Sequence, residues 1–335
     1  MYFDKLIKEI KTSRITDKIS TIFIGGGTPS SIDCTHIGKI MKTIYQNFNV
    51  DKNAEITIES NPNSLTLNKI KHYKEFQINR ISLGVQTTSN EILKSIGRIH
   101  TFADFQKSAK IISNNFDNYN FDIMIGLPNQ SMADVENTLT SVLKYNPPHI
   151  SAYSLILEQN TLLAKMVDSG KTALPNDDTV VEQYNFVYDV LCQNNLPRYE
   201  ISNFAKPNFE CKHNQNYWTC GEYLGFGLSA HSYKNGIRFS NTNNINEYLN
   251  GTTKSFEEIL SLQEQKEEMI MLALRTEQGL DVKKYNQKFN ENLFYDKQKV
   301  IINLQKEKLI IVDGNILKIA PTAFYISNSI IEKLI

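Results

Sequence analysis

Residues Thr21–Ser31 read TIFIGGGTPSS: four β-prone or apolar residues run straight into three glycines, then Thr28 and Pro29. This is the pattern of a buried strand whose C-terminal end opens into a loop almost without side chains. Bare backbone at such a strand end lets a ligand sit against N–H and C=O groups. A plain tight turn between strand and helix accounts for the loop about as well. The pattern is not G-x-G-x-x-G, and no Gly-Lys-[Ser/Thr] follows, so phosphate or dinucleotide binding is not expected.

Working outward, strand-like runs recur at Glu55–Glu59, Arg80–Gly84, Asn120–Ile125 and His149–Leu157. Amphipathic stretches lie between them, near Thr35–Gln46, Leu67–Phe76, Phe102–Ser113 and Asp134–Tyr145. Strands alternating with helices predict an α/β fold with a parallel sheet, each strand an apolar run covered on both faces. Glycines, prolines and amides gather after successive strands: GGGTP, then Ser60-Asn61-Pro62, then Val85-Gln86-Thr87, then Gly126-Leu127-Pro128. Parallel α/β folds place their sites on that face. A long helix near Thr179–Cys192 and an aromatic, glycine-containing segment follow, read as further strands and loops on the sheet's edge. From about Phe256 the pattern is helix, helix, hairpin around Asp313-Gly314 and a terminal helix, a small winged-helix-like domain. The division expected is 1–175, 176–255 and 256–335.

Composition narrows the class. The chain has 335 residues, 36 basic and 36 acidic, so a basic footprint for nucleic acid is missing. No run is long and apolar enough for a membrane span, and residues 1–14 have no signal-peptide core. A cytoplasmic protein is expected. Cys34, Cys192, Cys211 and Cys220 are too few and too scattered for a disulfide framework.

Among single residues, Asp122 stands out, because a carboxylate inside an apolar strand is costly unless it is paired. Glu59 and Gln86 end their strands. Arg98, in SIGRIH, is spaced to reach over the same face, where a guanidinium suits a carboxylate. Glu59 and Arg98, taken alone, are an ordinary strand-end residue and an ordinary exposed arginine. Together these positions fit one small zwitterion: backbone and Glu59 for an ammonium, Arg98 for a carboxylate, Gln86 and Asp122 for hydroxyls or ring edges.

The ordered set GGGTPS, ITIESNP, RISLGVQT, SIGRIH, FDIMIGLP and ISAYSLILE resembles the radical S-adenosylmethionine enzymes, and more narrowly the oxygen-independent coproporphyrinogen oxidase group. RYEISNFAKPNFECKHNQNYW, YLGFGLSAHSY and ALRTEQGLD resemble the heme-chaperone branch of that group. The resemblance runs the length of the chain. It implies a partial (β/α)6 barrel holding S-adenosylmethionine at its C-terminal rim. Gly26, Gly27 and Thr28 would meet the methionine moiety, and Glu59, Gln86, Arg98 and Asp122 match further positions of that site. It implies heme binding at His213, in HNQNYW, with His231 and His100 as weaker alternatives, and a heme-accepting protein as partner. A homodimer is compatible with this reading.

The family also carries Cys-x3-Cys-x2-Cys, whose three thiolates hold a [4Fe–4S] cluster. No such triplet occurs here, and the barrel's first strand and cluster loop, on the order of 30–40 residues, are not accounted for. S-adenosylmethionine cleavage is therefore not expected of these residues. Cys211, His213 and Cys220 offer three zinc ligands at an unfamiliar spacing. The readings that follow are a heme chaperone first, a coproporphyrinogen III oxidase second, and an inactive shortened relative of either third.

Overall fold

The computed structural model describes residues 1–335. Its principal sheet has seven strands: β1 (Lys18–Ile24), β2 (Asn49–Ser60), β3 (Arg80–Gln86), β4 (Asn118–Ile125), β5 (His149–Ser154), β6 (Arg198–Glu200) and β7 (Asn203–Ala205). They lie in the order β1-β2-β3-β4-β5-β7-β6 and curl into a half barrel. β2 to β5 pair in parallel, whereas β7 runs antiparallel to β5 and β6 antiparallel to β7. The βα alternation is thus as expected from sequence. β2 starts six residues earlier than its apolar run. β5 ends at Ser154, not Leu157, because its partner β4 ends at Ile125; one last bond joins Leu155 N–H to the Ile125 carbonyl at 3.0 Å.

The two faces of the sheet differ in a way the apolar-run reading did not foresee. Outward positions are apolar and buried: Ile56, Ile58, Ile81, Leu83, Val85, Phe121, Ile123 and Ile150. Phe121 stands edge-on to Phe105 of the helix Phe102–Ser113, with ring centroids 5.4 Å apart. The helix Cys34–Asn47 meets Phe76 through Gly38, where any Cβ would lie 2.6 Å from the Phe76 ring. Inward positions are polar: Thr57, Glu59, Arg80, Ser82, Asn120, Asp122, His149 and Ser151. Curling crowds the concave side with neighbouring strands, so these groups must satisfy one another.

Ser82, Asp122, His149 and Ser151 do so through Asn120, whereas Thr57 Oγ1 and Arg80 Nε are left without a hydrogen-bond partner. The Asn120 amide nitrogen lies 2.7 Å from Ser82 Oγ, 2.5 Å from Asp122 Oδ1 and 3.0 Å from Ser151 Oγ. Its oxygen faces His149 Nδ1 at 2.7 Å, so that nitrogen carries the proton, and Nε2 accepts from the Tyr199 hydroxyl at 2.8 Å. Burial, helped by the charge of Arg80, holds the His149 imidazole neutral, well below its usual range.

The chain divides into two compact units. One comprises Ser20–Gly38 and Lys52–Glu210 and contains most of the principal sheet. The other comprises Met1–Ile19, Lys39–Asp51 and Cys211–Ile335. In this second unit β8 (His231–Lys234), β9 (Ile237–Asn241) and β10 (Lys254–Ile259) form their own sheet. Of the strands expected on the barrel's edge, only β6 and β7 are there. The N-terminal helix Tyr2–Thr12 is pinned by Glu9, which accepts from the Tyr248 hydroxyl at 2.6 Å, Asn241 Nδ2 at 2.7 Å and Gly227 N–H at 3.1 Å. The C-terminal part packs helices around β11 (Leu280–Asp281), β12 (Ile310–Asp313) and β13 (Ile316–Ile319). As the Asp-Gly pair predicts, β12 and β13 form a hairpin, with Gly314 left-handed at φ 57°. No helix is long and apolar enough to cross a membrane.

Glu200, at the edge of the sheet, is fully buried. Its Oε2 accepts from Ser202 N–H at 3.2 Å, and Asn203 lies opposite it on the neighbouring strand. Burial pushes the Glu200 carboxyl up to about 7, against hydrogen bonds from Ser202 N–H and the Asn203 side chain and the charge of Arg198. Between 4.5, the ordinary value for a glutamate, and about 7 the folded chain therefore binds more protons than the unfolded one. The stability this confers is complete below the lower value and is lost as pH rises to the upper. Glu200→Gln should flatten that decline and make the protein more stable than wild type above pH 7, by roughly 3 kcal/mol. Urea titrations at several pH values measure it.

Candidate functional site

The C-terminal ends of β1 to β5 converge on one polar rim. The loop after β1 begins with Gly25, where a Cβ would come within 2.9 Å of the Phe23 ring and 3.1 Å of the Glu59 carboxyl. Gly26 and Gly27 are left-handed, at φ 82° and 65°, and a Cβ on either would meet nothing within 4 Å. Glycine is required here by the backbone conformation, and open space lies over it. Gly26 N–H donates to Glu59 Oε2 at 3.1 Å.

Asn61, the residue after β2, ties the loops together. It donates from Nδ2 to Thr28 Oγ1 at 2.9 Å and accepts from Arg98 through Oδ1 at 3.4 Å. Ser30, fully buried, accepts from Asn61 N–H at 3.1 Å, and its carbonyl accepts from Lys69 Nζ. Beyond its contact with Asn61, Arg98 has no carboxylate within ion-pair distance and retains donors for a ligand.

At the end of β3 the chain breaks its register with β4 between Gly84 and Gln86. Gln86 is left-handed, φ 66°, and nearly fully buried. Its Oε1 accepts from the Tyr153 hydroxyl at 3.1 Å. A side chain at Gly84 would press within 3.0 Å of Gln86 Nε2 and 3.4 Å of Asn61 Oδ1, so the approach of the two amides depends on that glycine. Asp122 accepts from Ser82 Oγ at 3.0 Å as well as from Asn120. At the end of β4, Gly126 N–H donates to the buried Gln183 Oε1 at 2.8 Å, and Gln130 braces the same loop through Leu127 N–H and the Met124 carbonyl.

The electrostatics show that these groups share one space. Burial raises Glu59 above the usual carboxylate range, the Gly26 N–H opposes it, and the charge of Asp122 adds to it. Burial also raises Asp122, against hydrogen bonds from Ser82, Ser151 and Asn120 and the charge of Arg80. Tyr153 is pushed up to about 12, by burial first, and it feels Asp122, Arg98 and Glu59 together.

The rim therefore gathers Gly26, Gly27, Thr28, Glu59, Gln86, Arg98 and Asp122, the residues singled out from sequence. Sequence reasoning passed over Asn61, Tyr153, Gln130 and Gln183. Asn61 was visible only as part of a strand-end Ser-Asn-Pro, and the two glutamines carried no signal, being ordinary polar residues until packing buries them. His100 packs beside β3, 3% exposed. His213 and His231 belong to the other unit. His213 opens the helix Lys212–Trp218, and its Nε2 lies 2.9 Å from the hydroxyl of Tyr217, one turn on. Tyr217 in turn stands edge-on to Tyr223, 4.7 Å between centroids.

The zinc alternative fails on geometry. Cys211 and Cys220 flank opposite ends of that helix, about 10 Å apart along its axis, and no group of three metal-ligating side chains gathers anywhere. The four cysteines form no disulfide and are dispersed over both units, so these residues do not fit a three-thiolate cluster.

Because the charge of Asp122 acts on Glu59, Asp122→Asn should lower the Glu59 titration midpoint toward the ordinary carboxylate value. Carboxyl-carbon NMR titration of wild type and variant checks this; an unmoved midpoint would show that the two groups do not face a common space.

Comparisons with known proteins bear on the fold and the family. The Radical SAM superfamily profile matches residues 1–142, and the HemN C-terminal domain profile matches residues 260–326. Among solved structures, Escherichia coli coproporphyrinogen III oxidase (HemN), described as a radical SAM enzyme, superposes with a TM-score of 0.86 over 99% of this chain and 82% of that one. At 22% identity, that likeness speaks for the fold. The heme chaperone HemW of Lactococcus lactis is 36% identical over 100% of this chain and 89% of its own length. Its counterpart in Buchnera aphidicola (from Schizaphis graminum) is 37% identical over 91% and 82%, and that of Bacillus subtilis 34% over 82% and 74%. With such identity sustained along both this chain and its relatives, the chain belongs to the HemW heme chaperone family, within the radical SAM superfamily.

Proposed function

We propose that this protein is a heme chaperone that binds S-adenosylmethionine at the barrel rim and heme through the region of His213, and passes heme to an acceptor protein. The observation that carries the first half is the rim itself. Glycine backbone with open space above it, one guanidinium without an ion-pair partner and two desolvated carboxylates suit an amino-acid zwitterion. Gly26, Gly27 and Thr28 would hold the methionine moiety, with Glu59 and backbone at its ammonium. Arg98 would take its carboxylate as a bidentate pair. Gln86 and Asp122 would face hydroxyls or the base. Bound there, S-adenosylmethionine supplies a sulfonium centre. These residues orient it and exclude water, and no step is assigned to a cluster that the cysteines present do not fit.

Heme binding at His213 rests on the HNQNYW match and on membership of the family. The imidazole sits on a helix, steadied by Tyr217, and an iron at Nε2 would replace the Tyr217 contact.

Two titrations test the two halves. In equilibrium dialysis, Arg98→Ala should weaken S-adenosylmethionine binding by at least tenfold; unchanged affinity would remove the rim assignment. In heme titration followed by the Soret band, His213→Ala should bind more weakly and with an altered spectrum; identical curves would sink that residue's role.

A further inference from the structure

At the end of β3 the Val85 carbonyl and the Thr87 N–H close a three-residue turn, 2.9 Å between N and O. The central residue, Gln86, is left-handed at φ 66°. A γ-turn of this sign is rare and strained, and a non-glycine residue keeps it only when its surroundings insist. Three contacts insist. Gln86 Oε1 is held by the Tyr153 hydroxyl at 3.1 Å. Past the turn, Thr88 N–H donates to Thr138 Oγ1 at 3.2 Å. The third is His100, whose Nε2 lies 3.2 Å from the Val85 carbonyl.

The register shift explains why His100 is needed. Between Gly84 and Gln86 the ladder with β4 skips Val85. Its carbonyl therefore needs donors from elsewhere: Thr87 N–H supplies one and the buried imidazole the other. His100 also sits two residues past Arg98, in the segment that leads to the N-cap Thr101 of the helix Phe102–Ser113. One hydrogen bond thus fastens the Arg98 loop to the end of β3. A nitrogen committed to a carbonyl, on a ring 3% exposed, is badly placed to ligate heme.

We propose that His100 is a positioning residue: by donating from Nε2 to the Val85 carbonyl it holds Gln86 in its left-handed turn and Arg98 over the same rim, and so sets the polar end of the ligand site. The inference rests on the reading of that rim as an S-adenosylmethionine site, and its test separates the two.

The test compares His100→Gln, whose amide nitrogen can occupy the place of Nε2, with His100→Asn, whose shorter side chain cannot reach it. Readouts are S-adenosylmethionine affinity by equilibrium dialysis, amide exchange at Thr87, and thermal unfolding. His100→Asn should weaken binding about five- to tenfold, the equivalent of one lost hydrogen bond, and speed exchange at Thr87. His100→Gln should restore both to within about twofold of wild type. Equal behaviour of the two variants, or loss that merely follows melting temperature, overturns the proposal. If wild type fails to bind S-adenosylmethionine, the ligand reading falls and exchange decides alone: fast in Asn and slow in Gln upholds the positioning role, and equal rates end it. Should His100→Asn fail to fold, His100→Gln decides: binding and Thr87 exchange within about twofold of wild type uphold the role of the donor at this position, and a loss of about tenfold with wild-type melting overturns it.

Discussion

Everything at the rim depends on one constraint: a parallel sheet that curls has a concave face no helix can cover. The convex face follows the usual rule and buries Ile, Leu, Val and Phe under helices. The concave face is polar: Thr57, Arg80, Ser82, Asn120 and His149 are buried there, and Asp122 and Ser151 are partly so. Most of this lining is joined in one network, which limits the desolvation cost that unmatched groups such as Thr57 Oγ1 and Arg80 Nε carry. Asn120 makes the connection, and the neutral His149 and the hydroxyl of Tyr199 extend it to the barrel edge. A rigid, low-dielectric floor of this kind holds Asp122 where water would otherwise let it wander.

On that floor the rim is built from conformations that side chains resist. Gly26 and Gly27 take left-handed angles at the end of β1, and Gln86 takes one at the end of β3 without being glycine. The first two cost little, since nothing is lost when glycine adopts them. The third is maintained by tertiary contacts, and its presence beside Glu59, Arg98 and Asp122 marks where the fold accepts strain to aim an amide. The neighbouring loops are tied by side chains: Asn61, Ser30 and Lys69 bind the first two, and Gln130 and Gln183 the fourth.

Much of this was readable in advance, and the reason differs from residue to residue. The strands after Thr21, Glu55, Arg80, Asn120 and His149 announce themselves through β-branched and aromatic residues between punctuating glycines and prolines, which are local signals. Asp122 was legible as a carboxylate out of place in an apolar run. The polar inner face was not, because Ser82, Asn120 and Ser151 look like interruptions in strands until curvature puts them side by side. The sheet of β8, β9 and β10 was misplaced for a related reason. Strand propensity identifies a strand but not its partner, and the pairing of residues distant in sequence decides which sheet it joins.

By itself the sequence determined the α/β class, the siting of glycines and polar residues at strand ends, and the family, because these rest on short-range pattern and on ordered motifs along one chain. Only the tertiary structure decided that Asn61 joins Thr28 to Arg98, that Gln86 is left-handed and bonded to Tyr153, and that the buried His100 imidazole meets the Val85 carbonyl. Those are contacts across 15 to 67 positions of sequence. They exist because a curled sheet brings successive strand ends to one rim, where each side chain's role is set by what it meets there.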